Sequence, residues 1–550
     1  MPGAAWVRWG VGWLACCLVG CSDGSDDKSP SNGVDAGWVE MTPVPTGDAA
    51  MMGLLDGGTS LIDANLQPGP EVDASRPAGS LKWTDCAGEF ECTTLWVPLD
   101  YADTAGESVR LAITRHRATG KRVGALLVNP GGPGSSAVDF LPKLVDNVNP
   151  RMVASFDLVA FDPRGVGFST PLDCHSTLQQ YNAVDPSPDD EAEWKAIDDA
   201  SAAFADECKQ KHEKLLPHLG TLNVARDMDR VRDALGEEKL TYLGFSYGVS
   251  IGAYYADMFP ERVGKMVLDG AVDLTLPEVD LVFEQAKGFE LALRNYFSWC
   301  KSDMARCSWA AGSTPEAKFA ELRASVELAP LAAPSADRNV GPGEFDIAVK
   351  APLYAGERGW QILSGGLAAA LSGDGSMLIS FVDIYHERQD DGTYTNIEEV
   401  FNAVSCVDRP GLTLPEVRAQ QARFVEAAPI FGLSSLTSLL ICTHWPVQGV
   451  QVPPPRGIGA GPIVVVGTTS DPATPYAWSQ RLAQGLESAT LLTYDGQGHT
   501  GYGQGEPCID SAVESFLIES KLPGGTCPQN KSKGSALRTQ PLAKRFTLHR

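Results

Sequence analysis

The sequence predicts an α/β protein: a mostly parallel central sheet with helices packed on it, and a mainly helical block inserted between two of its strands. Three observations predict it. Short continuous apolar runs such as Val123 to Val128, Phe156 to Phe161 and Ile463 to Val466 read as strands buried on both faces. Segments of helical spacing separate them, which implies parallel pairing through right-handed crossovers. Between about residue 275 and residue 455 the alternation stops and helical segments dominate.

At the amino terminus, Arg8 precedes the apolar run Val11 to Val19, which is too short to span a bilayer as a stable helix. The run ends in Leu18-Val19-Gly20-Cys21, which resembles the lipobox at which bacterial lipoproteins are cleaved and then acylated on the cysteine. Residues 1–20 are expected to be a lipoprotein signal peptide, with Cys21 as the lipidation site; an ordinary secretory signal is the alternative. The expected location is the bacterial cell envelope, on a periplasmic or extracellular face, held by a lipid anchor. No other segment reaches about 18 consecutive apolar residues, so no transmembrane helix is expected. Residues 21–80 are rich in Gly, Pro, Ser and Asp and cannot bury enough apolar surface to offset chain entropy. They read as a flexible linker which, as a random coil, spans roughly 40 to 45 Å.

From Trp83 the pattern becomes dense. Thr93 to Pro98 and Val109 to Arg115 read as an antiparallel opening pair, followed by the two buried strands named above. Thr221 to Leu235 has helical spacing, with Asn223 available as a cap. Leu240 to Phe245 reads as a strand, Val249 to Met258 as a helix, and Gly264 to Asp269 as the next strand. Within the inserted block the helical segments are Glu278 to Phe297, Pro315 to Leu328, Trp360 to Leu371, Ile397 to Val404 and Leu414 to Ala427. The sheet resumes at Ile463, with Ala489 to Tyr494 as the last strand and Ile509 to Ser520 as the last helix. The expected organisation is a first core segment at 81–274, a helical cap at 275–455, a second core segment at 456–528 and a disordered tail at 529–550.

The net charge of −25 argues against nucleic acid as a partner, because phosphates would be repelled. Of 13 cysteines, Cys16 and Cys17 leave with the signal peptide and Cys21 carries lipid. The remaining even number suggests disulfides in an exported chain, and pairing of sequential neighbours closes local loops of roughly 5 to 35 residues. The cysteine and histidine spacing does not suggest zinc, and no cofactor is implied.

The chemistry is concentrated around Gly244-Phe-Ser246-Tyr-Gly248. An apolar β-branched run enters this turn and a helical segment leaves it, the setting in which a serine hydroxyl is pushed out above a sheet as a nucleophile. Small residues flank the serine because the turn is sharp. A serine nucleophile needs a base, and the base needs an orienting acid, both on loops after later strands. Asp471 follows the strand at 463–466 and His499 follows the strand at 489–494, in the order Ser246, Asp471, His499 expected of an α/β-hydrolase fold. Asp269 also ends a strand and competes as the acid, while Asp495 is assigned to a turn. Of the other histidines, His386 and His444 fall in the cap, where one of them could line the pocket; His116, His175, His212, His218 and His549 are poorly placed. The oxyanion is expected to be held by the backbone N–H groups of Tyr247 and of Gly132 in the loop Asn129-Pro-Gly-Gly-Pro-Gly. This loop lacks the lysine and spacing of a phosphate loop. Asp162 and Arg164 are expected to form an internal ion pair bracing the loop beside it.

Asn129-Pro-Gly-Gly-Pro-Gly, Asp162-Pro-Arg-Gly, Gly244-Phe-Ser-Tyr-Gly, Asp471-Pro-Ala-Thr-Pro and Gly498-His499 together resemble the secreted tripeptidyl aminopeptidases of actinomycetes. Those are relatives of prolyl aminopeptidases within the α/β-hydrolase superfamily, and the likeness extends to their carboxy-terminal TAP-like segment. It implies Ser246 as nucleophile, Asp471 as acid and His499 as base, and peptides as substrates. The expected function is an exported serine hydrolase that releases short peptides from free amino termini. Cap carboxylates such as Glu284 or Glu290 are candidates to meet the substrate ammonium. An esterase or amidase on small acyl compounds, or a catalytically silent binding lipoprotein, are the alternatives.

Overall fold

Strands that are apolar on both faces need helices on both sides, and the computed structural model, which describes residues 81–530 apart from residue 175, shows that arrangement. Among the described residues ten strands form one sheet. They are β1 (Thr84–Ala87), β2 (Phe90–Pro98), β3 (Ser108–His116), β4 (Gly124–Asn129), β5 (Phe156–Phe161), β6 (Leu240–Phe245), β7 (Val263–Asp269), β8 (Ile463–Ser470), β9 (Ala489–Gln497) and β10 (Gly525–Pro528). Their spatial order is β1-β2-β3-β5-β4-β6-β7-β8-β9-β10. The first three strands and the β3–β5 pair are antiparallel; every pair from β5 to β10 is parallel.

Side chains along the inner strands alternate between two cores. Leu127, Tyr242 and Val465 pack with Val224 and Met228 of the Thr221–Ala234 helix and Tyr255 of the Tyr247–Met258 helix. Leu126, Leu243 and Val464 pack with Leu141 of the Ala137–Asn147 helix and Phe516 of the Pro507–Glu519 helix. Between β7 and β8 runs a series of helices from Glu278–Ser302 to Leu440–His444. It gathers a third core around Phe289, Tyr296, Trp309, Phe345, Trp360 and Phe381. β7 and β8 are nonetheless adjacent and parallel, with Met266 opposite Ile463. The helical series therefore leaves and re-enters the sheet between neighbouring strands.

Five disulfides join Cys86 to Cys92, Cys174 to Cys208, Cys300 to Cys307, Cys406 to Cys442 and Cys508 to Cys527, each pair being sequential neighbours. No helix among the described residues is long and apolar enough to cross a membrane. The signal peptide, Cys21, the linker to residue 80 and the tail from residue 531 lie outside the described residues.

Several elements differ from expectation. Ala489 to Tyr494 belongs to β9 but is not the last strand: β10, short and bounded by Gly and Pro, adds one more. Glu191–His212, to which the sequence analysis assigns no element, is a 22-residue helix whose apolar positions are too sparse to read as a stripe. The segment 414–427 is two helices, Leu414–Ala419 and Gln421–Ala427. Asn223 is not a cap. Gly220 precedes the helix, and the Asn223 amide instead donates to the His218 carbonyl at 3.1 Å.

Arg164 does not pair with Asp162. It grips Asp227 of the Thr221–Ala234 helix through two 2.7 Å hydrogen bonds, Nε to Oδ2 and Nη2 to Oδ1. Its remaining donors reach the carbonyls of Leu99 at 2.8 Å, Pro98 at 2.9 Å and His218 at 3.2 Å. Tyr101 donates to the same carboxylate at 2.7 Å. Arg164 and Asp227 are fully buried, so removing one leaves the other charge stranded. Arg164→Met is expected to cost about 3 to 5 kcal/mol in urea unfolding. The double variant Arg164→Met, Asp227→Leu is expected to recover much of that loss; equal destabilisation of both variants would contradict the pairing.

Candidate active site

Three parallel strands end where the candidate residues begin: β6 runs into Ser246 and, on the far side of β7, β8 runs into Asp471 and β9 into the turn before His499. Ligands of open α/β sheets bind beyond such carboxyl ends. Ser246 sits at φ 53, a left-handed conformation that a serine adopts at a cost of roughly 1 to 3 kcal/mol. The turn is held by the Ser246 amide on the Asp269 carbonyl at 2.8 Å and by the Tyr242 hydroxyl on the Gly248 carbonyl at 2.8 Å. Both flanking glycines are required: a Cβ at 244 would lie 2.6 Å from the Gly248 carbonyl, and one at 248 would lie 2.8 Å from Asn129 Oδ1.

The His499 Nδ1 lies 2.9 Å from each Asp471 carboxylate oxygen. The carboxylate also accepts from the amides of Ala473 (2.9 Å), Thr474 (2.8 Å) and Thr500 (3.1 Å). Thr474 Oγ1 donates to Asp471 Oδ2 at 3.0 Å and lies 3.2 Å from His499 Nδ1. With Nδ1 engaged by Asp471, Nε2 is the ring nitrogen left for a second partner. The other side of the ring meets Tyr354 edge-on, with centroids 5.6 Å apart. The His499 amide donates to the Tyr354 carbonyl at 2.8 Å. Asp269, the competing acid, instead accepts from the amides of Gly501 and Tyr502. Asp495 lies within β9, where it accepts from Thr469 Oγ1.

Ser246, Thr474, His499 and Tyr354 line one cavity of about 850 Å³. Gly132 and Tyr247 line it too. The glycine loop passes directly against the serine turn: a Cβ on Gly131 would lie 2.9 Å from Ser246 Cβ and 3.0 Å from the Tyr247 nitrogen. Tyr247 is the first residue of its helix, where the backbone N–H has no intrahelical acceptor. Gly131 already donates to Asn129 Oδ1 at 2.9 Å, so Gly132 is the next amide in the loop. Asp162 braces this corner by accepting from Ser136 Oγ, Val138 N and Phe168 N. Burial pushes its carboxyl up, to about 7.

The helical insertion supplies much of the remaining lining. His386 does so, hydrogen-bonded through Nδ1 to Glu398 at 2.9 Å, whereas His444 turns to Asp198 at 2.7 Å. Glu284 and Glu290 are not in the lining. Glu284 accepts from Trp478 and Arg481, and Glu290 from the Ile430 amide. The carboxylates that do face the cavity include Glu278, whose Oε2 pairs with Arg409 at 3.3 Å, and Asp346, which lies 3.5 Å from Arg323 Nε and keeps its buried Oδ2 without a hydrogen-bond partner. Sequence reasoning missed Thr474, although it stands three residues after Asp471 in a helix-entry motif. Asp346 and Tyr354 lie on and at the end of one remote helix, Pro342–Leu353, and carry no local signal.

Residues 124–506 match the family of the alpha/beta hydrolase fold. Serine protease Hip1 of Mycobacterium tuberculosis is 37% identical over 481 residues, covering 82% of this chain and 90% of that protein. Carboxylesterase B of the same species is 36% identical over 495 residues, covering 85% and 93%. Tripeptidyl aminopeptidase of Streptomyces lividans is 31% identical over 481 residues, covering 82% and 87%. The chain belongs to the alpha/beta hydrolase fold family and is a serine hydrolase of it.

Burial pushes the Asp269 carboxyl up, to about 7, against the pull of its hydrogen bonds from Tyr502 and Gly501. An unfolded aspartate titrates near ~3.9, so the folded state holds this proton more tightly. The stability it supplies is full below about pH 4 and is lost as pH rises through about 7. Asp269→Asn is expected to flatten the stability–pH curve across that window by up to about 1.4 kcal/mol per pH unit, read by urea unfolding at stepped pH. An unchanged slope would refute the assignment.

Proposed function

We propose that this chain is an exported serine peptidase that removes short peptides from free amino termini, with Ser246, His499 and Asp471 as its triad. The observation that carries the reading is the Asp471–His499 pair, buried in the same cavity that Ser246 lines. His499 Nε2 takes the Ser246 proton as Oγ attacks the scissile carbonyl, and Asp471 orients and stabilises the imidazolium. The Tyr247 and Gly132 amides hold the developing oxyanion, an interaction worth about 10²- to 10³-fold in rate per donor. The imidazolium then protonates the leaving amine. The acyl-enzyme keeps the amino-terminal fragment until water, activated by the same base, releases it.

The relatives named serine protease and tripeptidyl aminopeptidase support peptide substrates. The helices between β7 and β8 act as the cap, which we place at 275–455. The buried Asp346 Oδ2, without a hydrogen-bond partner, is suited to a substrate ammonium, and Glu278, paired with Arg409, stands on the same cavity. Asp346 stands on the same cavity-lining face of the Pro342–Leu353 helix as Lys350, one turn further from Tyr354. Five disulfides fit an oxidising compartment, and the Cys21 lipobox supports lipid anchoring in the cell envelope. The relative named carboxylesterase B favours one second reading, an esterase on small acyl compounds.

Ser246→Ala is expected to abolish both fluorophosphonate labelling and turnover; labelling that persists would remove Ser246 from the mechanism. Free and amino-acylated peptides, run beside simple esters, separate the two readings. Free peptides are expected to be turned over at least tenfold better, and equal rates would overturn the exopeptidase. Asp346→Asn and Glu278→Gln are expected to raise KM for free peptides with little change in ester kcat. Cys21→Ala is expected to move the protein from the membrane fraction to the soluble one, and retention there would refute the anchor.

A further inference from the structure

One cation in the main cavity has no role in the proposed reaction. Lys350 belongs to the Pro342–Leu353 helix, is partly exposed and lines the cavity. Among the described residues it forms no salt bridge. Its ammonium donates to Ser434 Oγ at 3.4 Å, a long hydrogen bond, and stands over the Phe431 ring, 5.3 Å from the centroid. Both of those groups are neutral. Burial pushes the ammonium below the ordinary lysine range, against the pull of Asp346. An enclosed ammonium with no carboxylate beside it is costly, and an anion entering the cavity relieves that cost.

An independent sign stands one helix turn away. Asp346 is 2% exposed, and its Oδ2 has no hydrogen-bond partner. Arg323 Nε lies 3.5 Å from the other oxygen, Oδ1, which leaves Oδ2 for a donor from the cavity that Asp346 also lines. A helix rises about 1.5 Å per residue, so positions 346 and 350 share one face about 6 Å apart along the axis. Together they offer one negative and one positive group at that spacing. The next position on this face is Tyr354, whose ring meets His499. The face therefore leads from the reacting centre to the charged pair. Two other carboxylates facing the cavity are already committed, Glu278 to Arg409 and Glu398 to His386.

We propose that Asp346 and Lys350 form the subsite for the first residue of the substrate and select an acidic one: Asp346 takes the amino-terminal ammonium, and Lys350 takes the side-chain carboxylate of an amino-terminal glutamate or aspartate. This rests on the aminopeptidase reading and adds to it the residue that is recognised. An amino-terminal glutamate carries both charges within one residue, so a single partner satisfies both enclosed groups. A glutamine in its place leaves Lys350 without an anion, and a lysine brings a second cation against it. A site built around a polar group of the substrate rejects the analogue that lacks it more strongly than an apolar pocket rejects a missing methylene.

The test gives the intact protein free peptides that differ only in the first residue, with a simple ester run beside them. On the native chain, kcat/KM for a glutamate-first peptide is expected to exceed that of its glutamine-first twin by roughly tenfold or more. Moving the glutamate to the second position is expected to remove the advantage. Lys350→Gln is expected to bring the glutamate-to-glutamine ratio to within about twofold, and Lys350→Glu to invert it and favour a lysine-first peptide. Each ratio is taken within one variant, so a smaller folded fraction does not alter it. Equal rates for the twin peptides on the native chain, or an unchanged ratio in both variants, would overturn the proposal and leave the aminopeptidase reading standing. Hydrolysis of the ester without turnover of any free peptide would sink that reading, and this proposal with it.

Discussion

Four successive backbone amides of the loop carrying His499 end on three carboxylates. Thr500 donates to Asp471, Gly501 and Tyr502 donate to Asp269, and Gly503 donates to Asp510. A buried irregular loop cannot satisfy its amides through a helix or a ladder, so each needs a partner from elsewhere. Here the partners come from the end of β7, the end of β8 and the Pro507–Glu519 helix, three elements whose positions the sheet and its cores determine. The loop can then hold Gly498 at φ 102 and Thr500 at φ 66 without relaxing. The imidazole inherits its position from this comb, as a reactive group must when a displacement of about an ångström costs rate.

The insertion is tied to the same points. Its Tyr354 carbonyl takes the His499 amide, and its Asn295 amide reaches Gln497 at 3.1 Å. On the opposite wall Asn396 accepts from the Gly167 amide and donates to the carbonyls of Gly165 and Leu172. The next residue presses its carbonyl against Gly134, where a Cβ would come within 2.4 Å. The helices between β7 and β8 thus contact both the histidine loop and the glycine loop. A change in the insertion therefore reaches both loops through hydrogen bonds as well as packing.

What could be read from the sequence was what local chemistry dictates. A serine between glycines after an apolar run, and an aspartate and a histidine on loops after later strands, are short-range signals, and the structure brings Asp471 and His499 into contact and sets Ser246 in their cavity. The sheet was legible because strands buried on both faces must be continuously apolar. Long-range choices were not legible. Asp162 and Asp227 were equally available to Arg164, and only the packing of the Thr221–Ala234 helix against the sheet selects the second. Glu284 and Glu290 share a helix with Glu278, and the helix's rotation alone decides that Glu278 meets the cavity. β10 has too few residues to show a period, and its place beside β9 is held by the Cys508–Cys527 bridge.

A serine, a histidine and an aspartate do not choose between an ester and a peptide; the surrounding room and charge do. A site for small apolar esters is best served by a dry, closed pocket, because each ionised group placed there without a partner costs several kcal/mol. This cavity is large, and the insertion turns Glu278, Asp346, Lys350 and Glu398 toward it. Burial pushes the Lys350 ammonium down and the Asp346 carboxyl up, so each charged form is held at a cost. Apolar residues on the same helix faces would pack more cheaply. The carboxylates already have partners in Arg409, Arg323 and His386, and under the proposed function a substrate brings its own charges and amides to meet them. On that proposal the discrimination resides in the insertion and the rate in the strand ends, and the comb of carboxylates beneath His499 keeps the two in register.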